Sequence, residues 1–173
     1  MPVSLRAATA HDLPALKLLV ERAYRGDSAR RGWTHEADLV TGERIGRDEL
    51  ATLLEGESGR VLVAVAGGAL AGCVHIADQG HGLAYLGLLC VDPGRQAQGI
   101  GARLIAFAEE TARRTFGARA IEMTVIDRRG ELIDYYLRRG YIRSGETRPF
   151  PVPLDPPLGM SVLVKPLDSA QEA

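Results

Sequence analysis

Hydrophobic and polar residues repeat along this chain with two different periods, which together predict an α/β protein. Segments in which apolar residues alternate with polar ones, or run almost without interruption, predict strands. The segments read in this way are VSLRAAT, GRVLVAVA, GALAGCVHIAD, GLAYLGLLCVD, ARAIEMTVID, YIRSGETR and GMSVLVKPL. Segments with apolar residues three and four apart predict helices. These are ATAHDLPALKLLVERAYRG, RDELATLLEG, the stretch from Gly99 to Phe116, and ELIDYYLRRG.

Turn and capping residues mark several boundaries between these segments. Thr9, with Asp12 three residues later, is typical of a capping box at a helix start. Gly67-Gly68 between two strands predicts a hairpin. GLAYLGLLCVD is the most continuously apolar strand, so we expect it at the centre of the sheet. We see no internal repeat or linker, and expect a single domain over residues 1–173.

Composition and charge exclude several classes of protein. The net charge of -1 gives no basic surplus for nucleic acid, and no apolar run approaches the about 20 residues of a membrane span. No signal peptide is recognisable, so we expect a cytoplasmic protein. Cys73 and Cys90 lie in apolar runs and predict buried free thiols. Cysteine and histidine spacings match no metal site, so we expect no metal.

Two glycines stand at the start of a helix in the stretch QAQGIG, where glycine is a poor helix former. The first N–H groups of a helix have no partners and carry partial positive charge, so such a start binds anions. Glycine lets a phosphate approach the backbone without meeting a Cβ. The alternative is that the glycines let the helix pack closely on a strand. No G-K-[ST] follows and G-x-G-x-x-G is absent, so neither common nucleotide motif is present.

This stretch resembles motif A of the GNAT superfamily of acetyl-CoA-dependent N-acetyltransferases, Q/R-x-x-G-x-G/A, here Gln96 to Gly101. LLCVDPGRQ resembles the strand end before that motif, and YYLRRGYIRSGE resembles motif B. The resemblance covers residues 83–146 well and the first 60 residues weakly. It implies a mixed, mostly antiparallel central sheet of six to seven strands flanked by helices, with a splay between the fourth and fifth strands.

The resemblance also implies where acetyl-CoA binds. Its pyrophosphate lies on the backbone of Gln96, Ala97, Gln98, Gly99, Ile100, Gly101 and Ala102. Its pantetheine arm lies along the strand end at Leu89, Cys90 and Val91. Arg129 stands where the family often has Asn, and it is either a CoA contact or a solvated charge.

Three residues are candidates for the chemistry of acetyl transfer. The Val91 N–H can stabilise the carbonyl oxyanion. Tyr136 aligns with the motif B tyrosine and can donate to the leaving thiolate, although it can also merely pack the helix on the sheet. Glu122 lies on the strand face shared with Thr124 and Ile126, where it can accept the proton of the amine. The alternative is that it is an exposed strand residue or a partner in an edge salt bridge.

Glu36 is the rival base, in a polar stretch beside Trp33, and either residue can belong to the acceptor site. We therefore predict transfer of an acetyl group from acetyl-CoA directly to a primary amine of a small molecule. The alternatives are a non-catalytic acyl-CoA sensor or interaction module, a protein N-acetyltransferase, and, less favoured, a general nucleotide-binding α/β domain. The resemblance also allows a homodimer.

Overall fold

The computed structural model describes residues 2–24, 46–95, 98–149 and 159–167. Within these ranges the strands are β1 Val3–Ala7, β2 Gly59–Ala66, β3 Ala69–Gly80, β4 Leu83–Val91, β5 Ala120–Ile126, β6 Ile142–Pro149 and β7 Gly159–Pro166. The α-helices are α1 Leu13–Tyr24, α2 Arg47–Glu55, α3 Ile100–Phe116 and α4 Gly130–Leu137. Every helix and strand predicted from the periodicity is therefore present, and only the boundaries differ by a few residues.

The strands form one seven-stranded sheet in the order β1-β2-β3-β4-β5-β7-β6. The pairs β1/β2, β2/β3, β5/β7 and β6/β7 are antiparallel, whereas β4 and β5 are parallel. The register of β4 with β5 covers only Leu83–Tyr85 against Ala120–Glu122, although both strands continue. The mixed sheet, its central β4 and the splay between the fourth and fifth strands are confirmed.

The chain clusters into two compact units, which are described separately. Unit 1 comprises Met1–Ala77 and Leu86–Thr111, and unit 2 comprises Asp78–Tyr85 and Ala112–Ala173. The expectation of a single domain over residues 1–173 stays a prediction.

The core of unit 1 lies between helices α1 and α2 and one face of its strands. It is built from buried aliphatic side chains such as Leu16, Leu50 and Val63, and each contributes about 1.5–3 kcal/mol through burial. Cys73 and Cys90 belong to this core, and their sulfur atoms lie 3.4 Å apart as free thiols. The prediction that both cysteines are buried and free is confirmed.

The first predicted helix begins as a 3-10 turn, Ala10–Asp12, before α1 continues it. Pro14 has no N–H and cannot make the α-helical bond to residue 10, which explains the tighter start. The predicted capping residues are in place, because the Thr9 N–H donates to Asp12 Oδ2 at 2.8 Å. Arg6 also donates to both carboxylate oxygens, and chiefly for that reason the pKa of Asp12 falls to about 2.

Unit 2 buries one face of β5 and β7, including Ile121, Met123 and Leu163. Its helix α4 buries Ile133 and Tyr136, whereas Leu132 and Leu137 are half-buried. Leu132 and Leu137 therefore flank the buried face, and Ile133 lies at its centre. The reason is the phase of the helix, since 100° per residue puts Ile133 between the directions of those two leucines.

Candidate functional site

The loop after β4 is shaped by Asp92, to which the sequence reading assigned no role. Its carboxylate accepts the Gly94 N–H at 3.0 Å and the Arg22 guanidinium at 2.8 Å. Its N–H donates to the Ala71 carbonyl at 2.8 Å, and its carbonyl accepts the Arg95 N–H at 2.8 Å. Asp92 thus anchors the turn to the adjacent strand through its backbone and to α1 through its side chain. The sequence did carry a signal for this turn, since Asp92 directly follows a strand and stands two residues before a Gly. An Asp side chain in a turn commonly accepts a hydrogen bond from the backbone N–H two residues later.

Gly99 immediately precedes α3 and has a φ of 80°, in the left-handed region that other residues avoid. Its carbonyl accepts the first N–H bond of the helix, from Arg103 at 3.1 Å. A Cβ built on Gly99 would meet no other atom within 4 Å. Gly99 is therefore required by the backbone conformation, and the space in front of it is open, as an approaching phosphate requires.

The start of α3 leaves backbone donors available. The N–H groups of Ile100, Gly101 and Ala102 precede the bond from Arg103 to Gly99, so no helical carbonyl lies in position to accept them. The Ile100 side chain is buried, so this residue packs into the core while its N–H lies at the first turn of the helix. Gln98, Gly99, Ile100, Gly101 and Ala102 fit the predicted anion site. Gln96 and Ala97 lie outside the described residues.

Close packing of α3 on the sheet was the alternative role for the QAQGIG glycines, and the structure shows such a close approach at Gly72. A Cβ on Gly72 of β3 would lie 2.9 Å from both the Cys90 carbonyl oxygen and Leu104 Cδ1. Only glycine fits there without a shift of the backbone or of α3. Close approach of the helix therefore does not require Gly99.

The end of β4 carries the predicted pantetheine contacts Leu89, Cys90 and Val91. The side chain of Cys90 belongs to the core of unit 1, so the backbone is what this residue has to offer a ligand. Leu88, just before it, has a φ of 53°, which costs a non-glycine residue about 1–2 kcal/mol. The alternation of buried and half-buried residues nevertheless continues through Leu88 to Cys90. Nothing in the sequence indicates a positive φ at Leu88, because leucine rarely adopts one.

Tyr136 is buried on α4 within unit 2. Its ring contacts those of Tyr135 and Tyr141 edge-on, with centroids 5.4 and 6.0 Å away. Burial raises the pKa of the Tyr136 phenol above its ordinary value, so at neutral pH it holds its proton. Within the described part of the chain its hydroxyl has no hydrogen-bond partner, although the ring is well packed. Tyr135 is less buried, and the Arg139 guanidinium lies 3.9 Å above its ring.

Arg129 is buried, with 8% of its side chain exposed, and donates to Glu131 at 3.3 Å. The alternative that it is a solvated charge is wrong. It stands at the start of α4, seven residues before Tyr136, so the two lie on one side of the helix. Its positive charge acts against the rise in the Tyr136 pKa that burial causes. A buried guanidinium near this phenol is consistent with the predicted role toward the cofactor.

Glu122 is also buried, so its reading as an exposed strand residue is wrong, while the predicted salt bridge exists. Arg148 of β6 donates to both of its carboxylate oxygens, at 3.1 and 3.3 Å. The pKa of Arg148 is raised. The hydrogen bond to Glu146 is the larger cause, and the hydrogen bonds to Glu122 are the next largest. The strand register brings Glu122 and Arg148 together across 26 residues of sequence. Trp33 and Glu36, the other predicted acceptor residues, lie outside the described residues.

No group of three or more His, Cys, Asp or Glu side chains is placed to hold a metal ion in the described part of the chain. None of the helices described there has the length and apolar character needed to cross a membrane.

Comparison with known proteins extends these observations. Among curated proteins, S-(2-succino)cysteine N-acetyltransferase of Bacillus subtilis is 36% identical over 67 residues, which are 38% of this chain and 41% of that protein. The matched part thus spans about two fifths of that relative.

Solved structures share the fold at low sequence identity. The yncA protein of Salmonella typhimurium, with its cofactor acetyl-CoA, is 17% identical with a TM-score of 0.74, covering 98% of this chain and 96% of that one. The PaiA N-acetyltransferase of Thermoplasma acidophilum, in complex with coenzyme A, is 17% identical with a TM-score of 0.75, covering 96% and 99%.

A family model gives the most extensive match in sequence. The model of the acetyltransferase (GNAT) family matches residues 17–141, which include β4, the glycine-preceded start of α3, and α4. The chain therefore belongs to the acetyltransferase (GNAT) family, the acyltransferases that use acetyl-CoA as the donor.

Proposed function

We propose that the protein is a cytoplasmic N-acetyltransferase that moves an acetyl group from acetyl-CoA directly to a primary amine of a small molecule. The observation that carries this proposal is the start of α3. There Gly99, held at a φ of 80°, has open space where a Cβ would lie, and the N–H groups of the next three residues have no acceptor among the carbonyls of the helix. This arrangement fits the pyrophosphate of acetyl-CoA, which supplies the thioester.

Direct transfer needs three contributions from the protein. The amine must lose a proton, the carbonyl oxygen must be stabilised while it is negative, and the thiolate that leaves must be protonated. The amine nitrogen forms a bond to the carbonyl carbon, the carbon–sulfur bond breaks, and its electron pair stays on sulfur. We assign the oxyanion contact to the Val91 N–H, a fixed donor at the end of β4.

We assign protonation of the thiolate to Tyr136. A general acid must hold its proton until the leaving group becomes negative. The raised pKa of Tyr136 meets this condition, and its hydroxyl is not occupied by another described residue. The nearby buried Arg129 would also favour negative charge on sulfur and on the phenol.

The general base is assigned to Glu122, with Glu36 as the rival. Arg148 occupies one acceptor position on each oxygen of Glu122, and each oxygen keeps a second lone pair that can take a proton directly or through water. The pH–rate profiles of Glu122→Gln and Glu36→Gln distinguish the two residues. The variant that alone loses the acidic limb of kcat/KM identifies the base.

The small-molecule acceptor is supported by the matched relative, whose name specifies a cysteine derivative as the molecule that it acetylates. The experiment incubates purified protein with acetyl-CoA and a panel of amino acids, amino sugars, polyamines and peptides, and follows free CoA with a thiol-reactive dye. Release with at least one small amine is expected. Release with peptides only favours the protein N-acetyltransferase, and tight acetyl-CoA binding with no release at all favours the sensor.

A homodimer formed through the late strands stays a prediction. Strand β6 is the last in the sheet order, and Ile142 at its start is 60% exposed. Light scattering of the eluting protein gives the mass directly. A dimer mass for the wild type and a monomer mass for Ile142→Lys would support pairing through this strand.

A further inference from the structure

One face of the sheet in unit 2 carries a group of polar side chains from three strands. In the register, Glu122 of β5 pairs with Tyr85 of β4, and Arg148 of β6 pairs with Met160 of β7. Met160 pairs in turn with Ile126, which shares a face with Glu122. Because paired residues point to the same side of a sheet, these side chains lie together. We call Tyr85, Glu122, Thr124 and Arg148 the polar face.

The side chains of the polar face are already bonded to one another. The Arg148 guanidinium bonds both oxygens of Glu122, and its Nε donates to Glu146 at 2.8 Å. The hydroxyl groups of Tyr85 and Thr124 form a hydrogen bond, with their oxygen atoms 2.8 Å apart. Three of the five N–H donors of the guanidinium are thus used within the described residues. The remaining two can donate to a further anion.

The two carboxylates around Arg148 differ in exposure. The side chain of Glu122 is 8% exposed, that of Arg148 34%, and that of Glu146 54%. The bond to Glu146 is the shorter one, but an ion pair this open to water contributes little to stability. The bidentate pair with the buried Glu122 costs far more to break, because it would leave a buried charge without a partner. Glu146 can therefore be displaced from Arg148 at low cost, and Glu122 cannot.

We propose that the polar face is the acceptor subsite for an α-amino acid, with Arg148 binding its carboxylate and Glu122 its amino group. This rests on the proposed function, since the amine to be acetylated is part of that ligand. An α-amino acid carries opposite charges on one carbon, and the contacting pair of Arg148 and Glu122 presents the complementary charges at similar spacing. The ligand's carboxylate takes the place of Glu146 on the guanidinium, whose planar fork favours carboxylates. Tyr85, at the last paired position beside Glu122, supplies a hydroxyl at the edge of the subsite.

The test compares each α-amino acid with its own primary carboxamide, which keeps the amine and removes the negative charge. Loss of a charged hydrogen-bonded contact of about 1.5–3 kcal/mol predicts a kcat/KM for the wild type about 10- to 100-fold higher for the acid. In Arg148→Gln this ratio falls to near one, mainly through KM for the acid. In Arg148→Lys, which keeps the charge without the fork, an intermediate ratio is expected.

Glu146→Gln is the matched control on the same guanidinium. It removes the displaceable carboxylate and keeps the pair with Glu122, so KM for the acid falls about two- to fivefold while KM for the carboxamide is unchanged. Acetyl-CoA affinity, measured for every variant, shows that each is folded. Equal use of acid and carboxamide by the wild type, or a ratio that survives Arg148→Gln, overturns the subsite.

Failure of the proposed function gives a different result. In that case acetyl-CoA binds but no amine releases CoA. Calorimetric titration of the protein–CoA complex with one acid and its carboxamide then decides the subsite by itself. Binding of the acid alone, lost in Arg148→Gln, supports it, and binding of neither ligand overturns it.

Discussion

The start of α3 and the polar face of unit 2 are proposed to bind their ligands by different means. At the start of α3 the proposed ligand contacts are backbone N–H groups, and the side chains serve only to shape the chain. On the polar face the contacts are charged side chains, Glu122 and Arg148, and the backbone serves only to bring them together. The first region depends on conformation, and the second depends on residue identity and charge.

This difference shows why a chain can keep its donor and change its acceptor. Replacing Ala102 with any residue other than proline keeps a backbone N–H, so donor binding at the start of α3 should depend little on side-chain identity except where φ is positive. A single substitution at Arg148, by contrast, changes the charge that an acceptor meets. Substitutions in the two regions should therefore affect donor affinity and acceptor preference separately.

The largest expected effect belongs to Gly99→Asp. It puts a side chain and a negative charge into the open space before α3, and we expect CoA affinity to fall by about 100-fold or more, about 3 kcal/mol. Gly68→Asp is the matched control, because Gly68 has the same φ of 80° and no atom within 4 Å of an added Cβ. Calorimetry should give that control the wild-type affinity. Equal losses in both variants would contradict the site.

Tyr136→Phe should reduce kcat by about 100-fold, as loss of a general acid does, and leave acetyl-CoA affinity nearly unchanged. The phenyl ring preserves the packing against Tyr135 and Tyr141. Tyr135→Phe, one residue away on the same helix, should retain its rate. Single-turnover kinetics with a saturating acceptor separates this effect from product release, and an unchanged chemical step would remove Tyr136 from the mechanism.

Substitutions at Asp92 test whether cofactor binding at the start of α3 depends on the conformation of the backbone. Asp92→Ala removes the bonds to Gly94 and Arg22, so CoA affinity should fall about fivefold, close to 1 kcal/mol. Asp92→Asn keeps a turn-forming oxygen and loses only the exposed ion pair, so its affinity should fall less than twofold or so. Acceptor preference should be the same in both variants. If a variant changed the acceptor preference without changing the affinity for CoA, the two regions would not act separately as proposed.

The smallest expected effect concerns Asp12, which lies in neither region. Its pKa is about 2 when folded and near its ordinary 3.8 when unfolded, so the unfolded state binds more protons between those values. The stability that it contributes is complete above pH 4 or so and disappears as pH falls toward 2, amounting to about 1 kcal/mol after screening at the exposed Arg6. Urea unfolding of wild type and Asp12→Asn across this pH range measures it. The two curves should differ at neutral pH and converge in acid, and parallel curves would count against it.

Features that depend on residues close together in the sequence could be predicted, whereas features that depend on residues far apart could not. The elements and the Gly67-Gly68 hairpin depend on local periodicity and glycine positions, and these predictions are confirmed, whereas the anion site before α3 stays a prediction. The pair of Glu122 and Arg148 depends on the register of β5, β7 and β6, which no local pattern reveals. The left-handed Leu88 was missed because nothing in a leucine indicates a positive φ. Burial of Arg129 was missed because a charged residue at a helix start is usually solvated.

The central claim is that backbone N–H groups at the start of α3 bind the pyrophosphate of acetyl-CoA. Amide ¹⁵N–¹H shifts recorded during titration with CoA test it most directly. We predict that the amides of Gly99, Ile100, Gly101 and Ala102 move downfield, and that they saturate with the dissociation constant measured by calorimetry. If these four signals stay in place while CoA binds and shifts others, the claim is contradicted.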